Sequence, residues 1–402
     1  MRLQNLIIIF VVIALPVIII LSVYVRYQVD TANLRTAYDS TFLGATYDML
    51  SAFELNTTNN KYSTVSDSLI RDIEASINIF SDNFGSSLKL MGTNKNDVMD
   101  YVPAIVFSLH DGYYIYTPTA DVDGEYDHTL RPYVYYTKEY ESSDANKKIV
   151  INYSLDNYVA VYYYDKLNKS YESKAGYLEP IASSQNTYGI YISGDNVYYN
   201  GKKIDENETL HKNAYIYNLA QNKGQVQEQI TQSQRAYDYY KKAYDFSNWF
   251  NNIINSANLG NSNTGRSYTN ILTVTKDNQA LPELESDFNN EKSQVIKNSI
   301  ENDLIQAMET YKRKIGIDFA MPQFTAMDWE KIFKSTCVIS FIQGLPVGTS
   351  TYNNYIILPS TENEQTINDQ TLFYIGYGRD ADNCYHRLGC EHLKGDTIVR
   401  IQ

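Results

Sequence analysis

"LIIIFVVIALPVIIILSVYV", residues 6–25, is apolar at every position but Ser22. In a helix rising 1.5 Å per residue, these 20 residues reach about 30 Å, the thickness of a bilayer's hydrocarbon core. The run gives way to "RYQVD" with no small-residue cleavage pattern, so it reads as a retained anchor rather than a removable signal peptide. Arg2 and the terminal amine are the only charges ahead of it, and Arg26 lies just beyond. Nothing before the span is large enough to form a cytoplasmic domain, so the expected topology is single-pass, N-terminus inside, with residues 27–402 extracytoplasmic. Later segments are all broken by polar residues, and no second span is expected. Pro16 would free a carbonyl and kink the helix, a defect that packing against a neighbouring helix repairs.

Working outward, the helical period continues past the span through Leu34, Ala37, Ala45, Met49, Ala52 and Phe53, so anchor and stalk read as one long helix that "NTTNN" (56–60) ends. Ser66 opens a second amphipathic helix, with Leu69, Ile70, Ile73, Ile77, Phe80 and Phe84 on one face, expected to pack on the first. From Tyr101 the period changes to two. "AIVFSLHDGYYIYTP" reads as two strands around Asp111-Gly112, a pair suited to the positive φ angles of a tight turn. "IVINYSLDNYVAVYYY" and "GIYISGDNVYYNGKKI" repeat the grammar, with turns at "LDN", "SGD" and Asn200-Gly201.

A helix is predicted over 225–257, followed by the loop "NLGNSNTGRS". Another is predicted over 288–314, its face made by Ile296, Ile300, Leu304, Met308 and Tyr311. Thr325 and Asp328 form a capping box for a last helix, whose face reads Trp329, Phe333, Cys337 and Phe341. On that face Cys337 is a buried small hydrophobe rather than a nucleophile. Strands at "NNYIIL" and "TLFYIGYG" lead to the tail. The expected fold class is α+β: one transmembrane helix continuing into a long helix, then a Tyr-rich antiparallel sheet region with packed amphipathic helices. The expected parts are an anchor (1–26), a helical stalk (27–100), a Tyr-rich β region with a long helix (101–258) and an α+β C-terminal region (259–402).

Composition narrows the function. A net charge of -13 argues against a surface that neutralises a phosphate backbone, so no nucleic acid is expected among the partners. Tyrosine stands out at 38 residues, in runs such as "YVYY" and "VYYY", which suit half-exposed strands and contact surfaces. No phosphate-binding loop, nucleophile elbow, zinc-protease helix or dinucleotide fingerprint occurs, and only five histidines are available. His110, beside Asp111 at a hairpin turn, reads as structural rather than as a general base. Asp121, Asp123, Glu125 and Asp127 resemble a calcium loop, but the glycine falls at the fourth position instead of the sixth, leaving a solvated acidic loop. No catalytic or cofactor-binding residue can be named, and the expected class is not an enzyme.

The tail holds the densest cluster of ligand-type residues. Cys384, His386, Cys390 and His392 share one face if residues 387–389 form a three-residue hairpin loop, a register that suits a structural Cys2His2 zinc site. If residues 385–389 form a five-residue loop instead, Cys384 and Cys390 lie opposite one another and can bridge in a disulfide. Four free residues are the third reading.

Resemblances add to this. The N-terminal stretch, with Leu15-Pro16 inside the span and Asp30-Thr31-Ala32 and Ala37-Tyr38-Asp39 after it, resembles the N-terminus of TadE- and TadG-like proteins, the pseudopilin-like components of tight-adherence pilus machines. The chain lacks the leader pattern of prepilins, so peptidase processing is not expected. "YVPAIVFSLHDGYYIYTP" and "ISFIQGLPVGTSTYNNY" resemble uncharacterised membrane-anchored proteins of clostridial-type, low-GC Gram-positive bacteria. The tail is similar to the front half of Ada-type metal-binding tails, which implies His386 and Cys390 as ligands. The resemblance implies a cell-surface structural or assembly protein of a type IV-related pilus or secretion apparatus, its partners other membrane-anchored pilin-like proteins met through the N-terminal helix. A Cache-like ligand-binding module and a surface adhesin are the alternative expectations.

Overall fold

A computed structural model describes residues 3–59, 66–90, 95–120, 123, 126–141, 146–217, 227–256, 287–316, 321–360, 373–377, 386–387 and 397–401. In chain order the elements are α1 (Leu3–Asn59), α2 (Ser66–Leu90), a 3-10 segment (Lys95–Tyr101), β1 (Ile105–Ser108), β2 (Gly112–Ala120), β3 (Tyr126–Leu130), β4 (Val134–Tyr135), β5 (Thr137–Glu141), β6 (Lys147–Asn152), β7 (Tyr158–Asp165) and β8 (Ser170–Tyr177). There follow β9 (Ile190–Ser193), β10 (Asn196–Tyr199), β11 (Lys202–Lys203), β12 (Thr209–Tyr217), β13 (Gln227–Arg235), α3 (Ala236–Ser256), α4 (Asp287–Ile315), α5 (Ala326–Lys334), β14 (Cys337–Val347), β15 (Ser350–Pro359), β16 (Phe373–Tyr377), β17 (His386–Arg387) and β18 (Thr397–Ile401). The fold is thus a mixture of helix and antiparallel sheet built on one long apolar N-terminal helix.

The central sheet runs β15-β14-β1-β2-β3, with β4 also on β2. Its middle strand, β1, is buried at all four residues, because both faces of the sheet are covered. That accounts for the unbroken apolar run "AIVF" where a one-sided sheet would alternate. Ile105 and Phe107 face α1 and α2 together with Phe42, Phe80 and Phe84, whereas Val106 joins Tyr136, Ile300 and Leu304 in the larger core on the opposite side. A second sheet, β5-β6-β7-β8, and helices α3, α4 and α5 close that larger core. Because β14 pairs with β1, the sheet draws strands from both sides of residue 258.

The predicted α1–α2 contact is present: the Phe42 ring lies 6.2 Å from that of Phe80 and 5.9 Å from that of Phe84. The turns at Gly194 and at Asn200-Gly201 have the positive φ expected of them. Gly112 differs. Its φ is not positive, and glycine is required there because a Cβ would lie 2.3 Å from the Val134 carbonyl oxygen. Two further expectations are corrected. The helix read over 225–257 begins only at Ala236, since residues 227–235 form β13 in a nine-residue ladder with β12. Cys337 does not continue the face of α5, which stops at Lys334 with Ser335 as an extended cap, and instead starts β14 opposite Ser108. It is still buried, and burial pushes its thiol up to about 12, far from the thiolate.

Candidate functional site

From Leu15 to Asp30 every residue of α1 is exposed, and through Val25 nearly all of them are apolar. Ile18, Ile20, Val23 and Tyr24 all stand more than half exposed. A helix that is apolar all round needs an apolar medium. Among the described residues this is the one helix long and apolar enough to cross a membrane. Beyond it the helix becomes amphipathic: Tyr38, Phe42, Ala45, Met49, Leu50 and Phe53 are buried in the head at three- and four-residue spacing.

A row of polar contacts fixes this inner half of α1 to the β14–β15 hairpin. The Tyr27 hydroxyl accepts the Thr349 amide at 2.7 Å. Arg35 donates to the Ser350 hydroxyl at 3.0 Å, and Tyr38 to the Pro346 carbonyl at 3.1 Å. Asp39 accepts from the Tyr352 hydroxyl at 2.5 Å and from the Asn354 amide at 2.9 Å. In the interior, the Thr46 and Ser340 hydroxyls meet at 2.9 Å. Tyr27 to Thr46 is about 28 Å along the helix axis. The tip of the hairpin therefore lies at the end of α1 nearest the apolar span, and β14 runs towards that end. Gly348 makes the tip possible: its φ is +60°, and a Cβ would lie 2.2 Å from the Tyr27 hydroxyl.

The tyrosines have a more specific use than half-exposed strand surface. Tyr113, Tyr136, Tyr140, Tyr153 and Tyr311 are almost wholly buried. Phenol hydroxyls donate to carboxylates throughout: Tyr113 to Asp303 at 2.6 Å, Tyr140 to Glu291 at 3.0 Å, Tyr239 to Glu179 at 2.9 Å, Tyr355 to Asp328 at 2.9 Å, and Tyr133 to Asp111. An acidic chain thus gives these carboxylates neutral phenol donors, with Lys138 added at Glu291. Burial, reinforced by the neighbouring carboxylates, raises the phenols of Tyr113, Tyr140 and Tyr239 well above their ordinary range and keeps them protonated.

The chemistry-bearing side chains at the β1–β2 turn serve the fold. His110 is buried, with Nε2 3.2 Å from Asp156 Oδ1, and its carbonyl accepts the Leu155 amide at 2.7 Å. Burial lowers its pKa, so the ring is neutral at pH 7, with Asp156 partly offsetting the shift. Burial alone would raise Asp156, but the His110 ring, the Ser154 hydroxyl at 2.6 Å and the Tyr158 amide at 2.7 Å hold it at about 2. Lys292 donates to the Asp156 carbonyl at 3.0 Å and ties α4 to the β6–β7 turn that packs on His110. Next to it, burial lifts the Asp111 carboxyl to about 7, against the lowering effect of the Tyr133 hydroxyl.

Chain comparison adds no relative. No protein-family model, no curated protein and no solved structure matches this chain. Of the sequence-predicted ligands, His386 lies in β17 and pairs with Tyr374 of β16, while Cys384, Cys390 and His392 fall outside the described residues. Among the described residues no group of three or more His, Cys, Asp or Glu side chains is arranged to hold a metal ion. An open cleft of about 410 Å³ lies beside the β9–β10 turn, lined by Asp195, Lys203, Asp205, Glu206, Asn207 and Tyr237. The row of contacts along α1 escapes sequence reasoning, because its partners lie some 300 residues apart and carry no shared local signal.

Proposed function

We propose that this chain is a membrane-anchored, extracytoplasmic structural or assembly protein, a pseudopilin-like, TadE/TadG-like component of a type IV-related pilus or secretion apparatus. The observation that carries the reading is the undivided α1: one helix is bare and, but for Ser22, apolar over residues 15–25 and forms part of the head's core from Tyr38 onwards. Such a helix transmits position, since a head fixed along about 28 Å of its anchor cannot turn independently of it. In lipid, helices associate through close packing and recovered backbone hydrogen bonds, which suits a Pro-bearing span to lateral assembly with other anchored subunits.

The ligand-binding alternative calls for an aromatic-lined, mostly apolar pocket. The cleft at Asp195 and Glu206 is polar and acidic and does not have that lining. Replacing residues 6–25 with an unrelated apolar span of equal length tests the proposal. The head should still reach the membrane but lose its crosslinked partners. Unchanged partners in a crosslinking pull-down would refute assembly through the helix.

A further inference from the structure

The polar row along α1 fixes the hairpin tip relative to the end of the apolar span, and that gives the tip a depth. Val25 is the last residue of the apolar run, and Tyr27 lies only about 3 Å further along the axis. Helical side chains lean towards the helix N-terminus, so the Tyr27 phenol, and the Thr349 amide bound to it at 2.7 Å, sit back towards the bilayer. The polar layer on each side of the hydrocarbon is about 5–8 Å deep. A helix tilt of about 20° moves a point roughly 10 Å off the axis by only about 3 Å. The tip remains inside that layer across this range.

Resting on the anchor reading above, we propose that the β14–β15 turn, residues 346–351, rides in the lipid headgroup layer and makes the head a membrane-seated body rather than one on a free stalk. The chemistry of the turn fits that layer. Its sequence, "PVGTST", carries no charge that would resist partial dehydration, and its exposed residues Thr349 and Thr351 offer hydroxyls to phosphate and ester oxygens, while the Ser350 hydroxyl donates to the Val347 carbonyl at 3.0 Å and holds the turn. Val347, the large apolar residue of the turn, is buried in the head and leaves no wedge to insert deeper. Exposed Arg26, one residue past the span, stands at the same level and supplies a phosphate partner.

Depth quenching tests this in the full-length chain. A small fluorophore is placed on T349C, whose own side chain is exposed and whose amide makes the clamp contact, with L21C and L167C as reference sites. Leu21 lies in the span, and Leu167 is exposed at the β7–β8 turn in the head. Signal from the unsubstituted chain, labelled identically, is subtracted. The vesicles are phosphatidylethanolamine and phosphatidylglycerol carrying a nitroxide either on the headgroup or at mid-chain. The headgroup nitroxide should quench the Thr349 site several-fold more than the Leu167 site, and the mid-chain nitroxide should act most on Leu21. Quenching at Thr349 equal to that at Leu167, with Leu21 still quenched, overturns the seated head while leaving the anchor intact. Loss of quenching at Leu21 as well overturns the anchor and the seating together.

Discussion

Gly348→Ala addresses the clamp at its tightest point. Two separate costs follow from the geometry. Holding an L-residue with a side chain at φ +60° costs about 1–2 kcal/mol. The new methyl also lies 2.2 Å from the Tyr27 hydroxyl, so the phenol must swing away and the Thr349 amide exchanges it for water, a loss of about 0.5–1 kcal/mol. The total is about 2 kcal/mol. In a Tyr27→Ala background the second cost vanishes and only the backbone term remains, so the two substitutions should couple by about 0.5–1 kcal/mol. Urea unfolding of the detergent-solubilised full chain, followed by tryptophan fluorescence from buried Trp329, reads all four corners of the cycle. Equal penalties for Gly348→Ala in both backgrounds would refute the Tyr27 contact, and no penalty in either would refute the turn geometry as well.

Further outcomes follow from other parts of the fold. Asp111 has a folded pKa of about 7 against an ordinary 3.8, so the folded state holds a proton that the unfolded state has already lost between those values. Its contribution is full below pH 4 and is lost as pH rises through 7. Asp111→Asn should therefore match the parent near pH 4 and exceed it at pH 8 by at most about 4 kcal/mol in urea titrations, and an equal difference at both pH values would contradict the buried-acid assignment. Phe42→Ala, in the seam between α1, α2 and the sheet, should cost about 3–5 kcal/mol, and a thermal melt within experimental error of the parent would remove α1 from the core. Thr325→Ala breaks the capping box of α5 and should cost about 1 kcal/mol by the same melt, and no loss would mean that the cap does not hold α5.

Local rules read local structure here. The α2 face through Ile73, Ile77, Phe80 and Phe84, the α4 face through Ile300 and Leu304, and the Thr325–Asp328 box all follow from spacing alone, and each is present. The stretch 227–235 defeats those rules because "QEQITQSQR" has no apolar stripe of either period, so the choice of strand is made by its pairing with β12. Cys337 and Phe341 happen to continue the four-residue spacing of Trp329 and Phe333, yet the same residues alternate along β14 with Val338 and Ser340. Both periods fit, and the extended cap at Ser335 decides between them. The carboxylates accepting from tyrosines, and the clamp on α1, depend on partners brought together only by the finished sheet. Abundance of Tyr and Asp is visible in the sequence, but their pairing is not.

The most direct test of the account asks on which side of the membrane the head lies. Leu167→Cys puts a thiol at the exposed β7–β8 turn, and intact cells are treated with a membrane-impermeant maleimide alongside cells carrying the unsubstituted chain. The account predicts labelling of this introduced thiol above the native background before lysis, with the full-length chain in the membrane fraction. Labelling that appears only after lysis, or a full-length chain recovered in the soluble fraction, contradicts it.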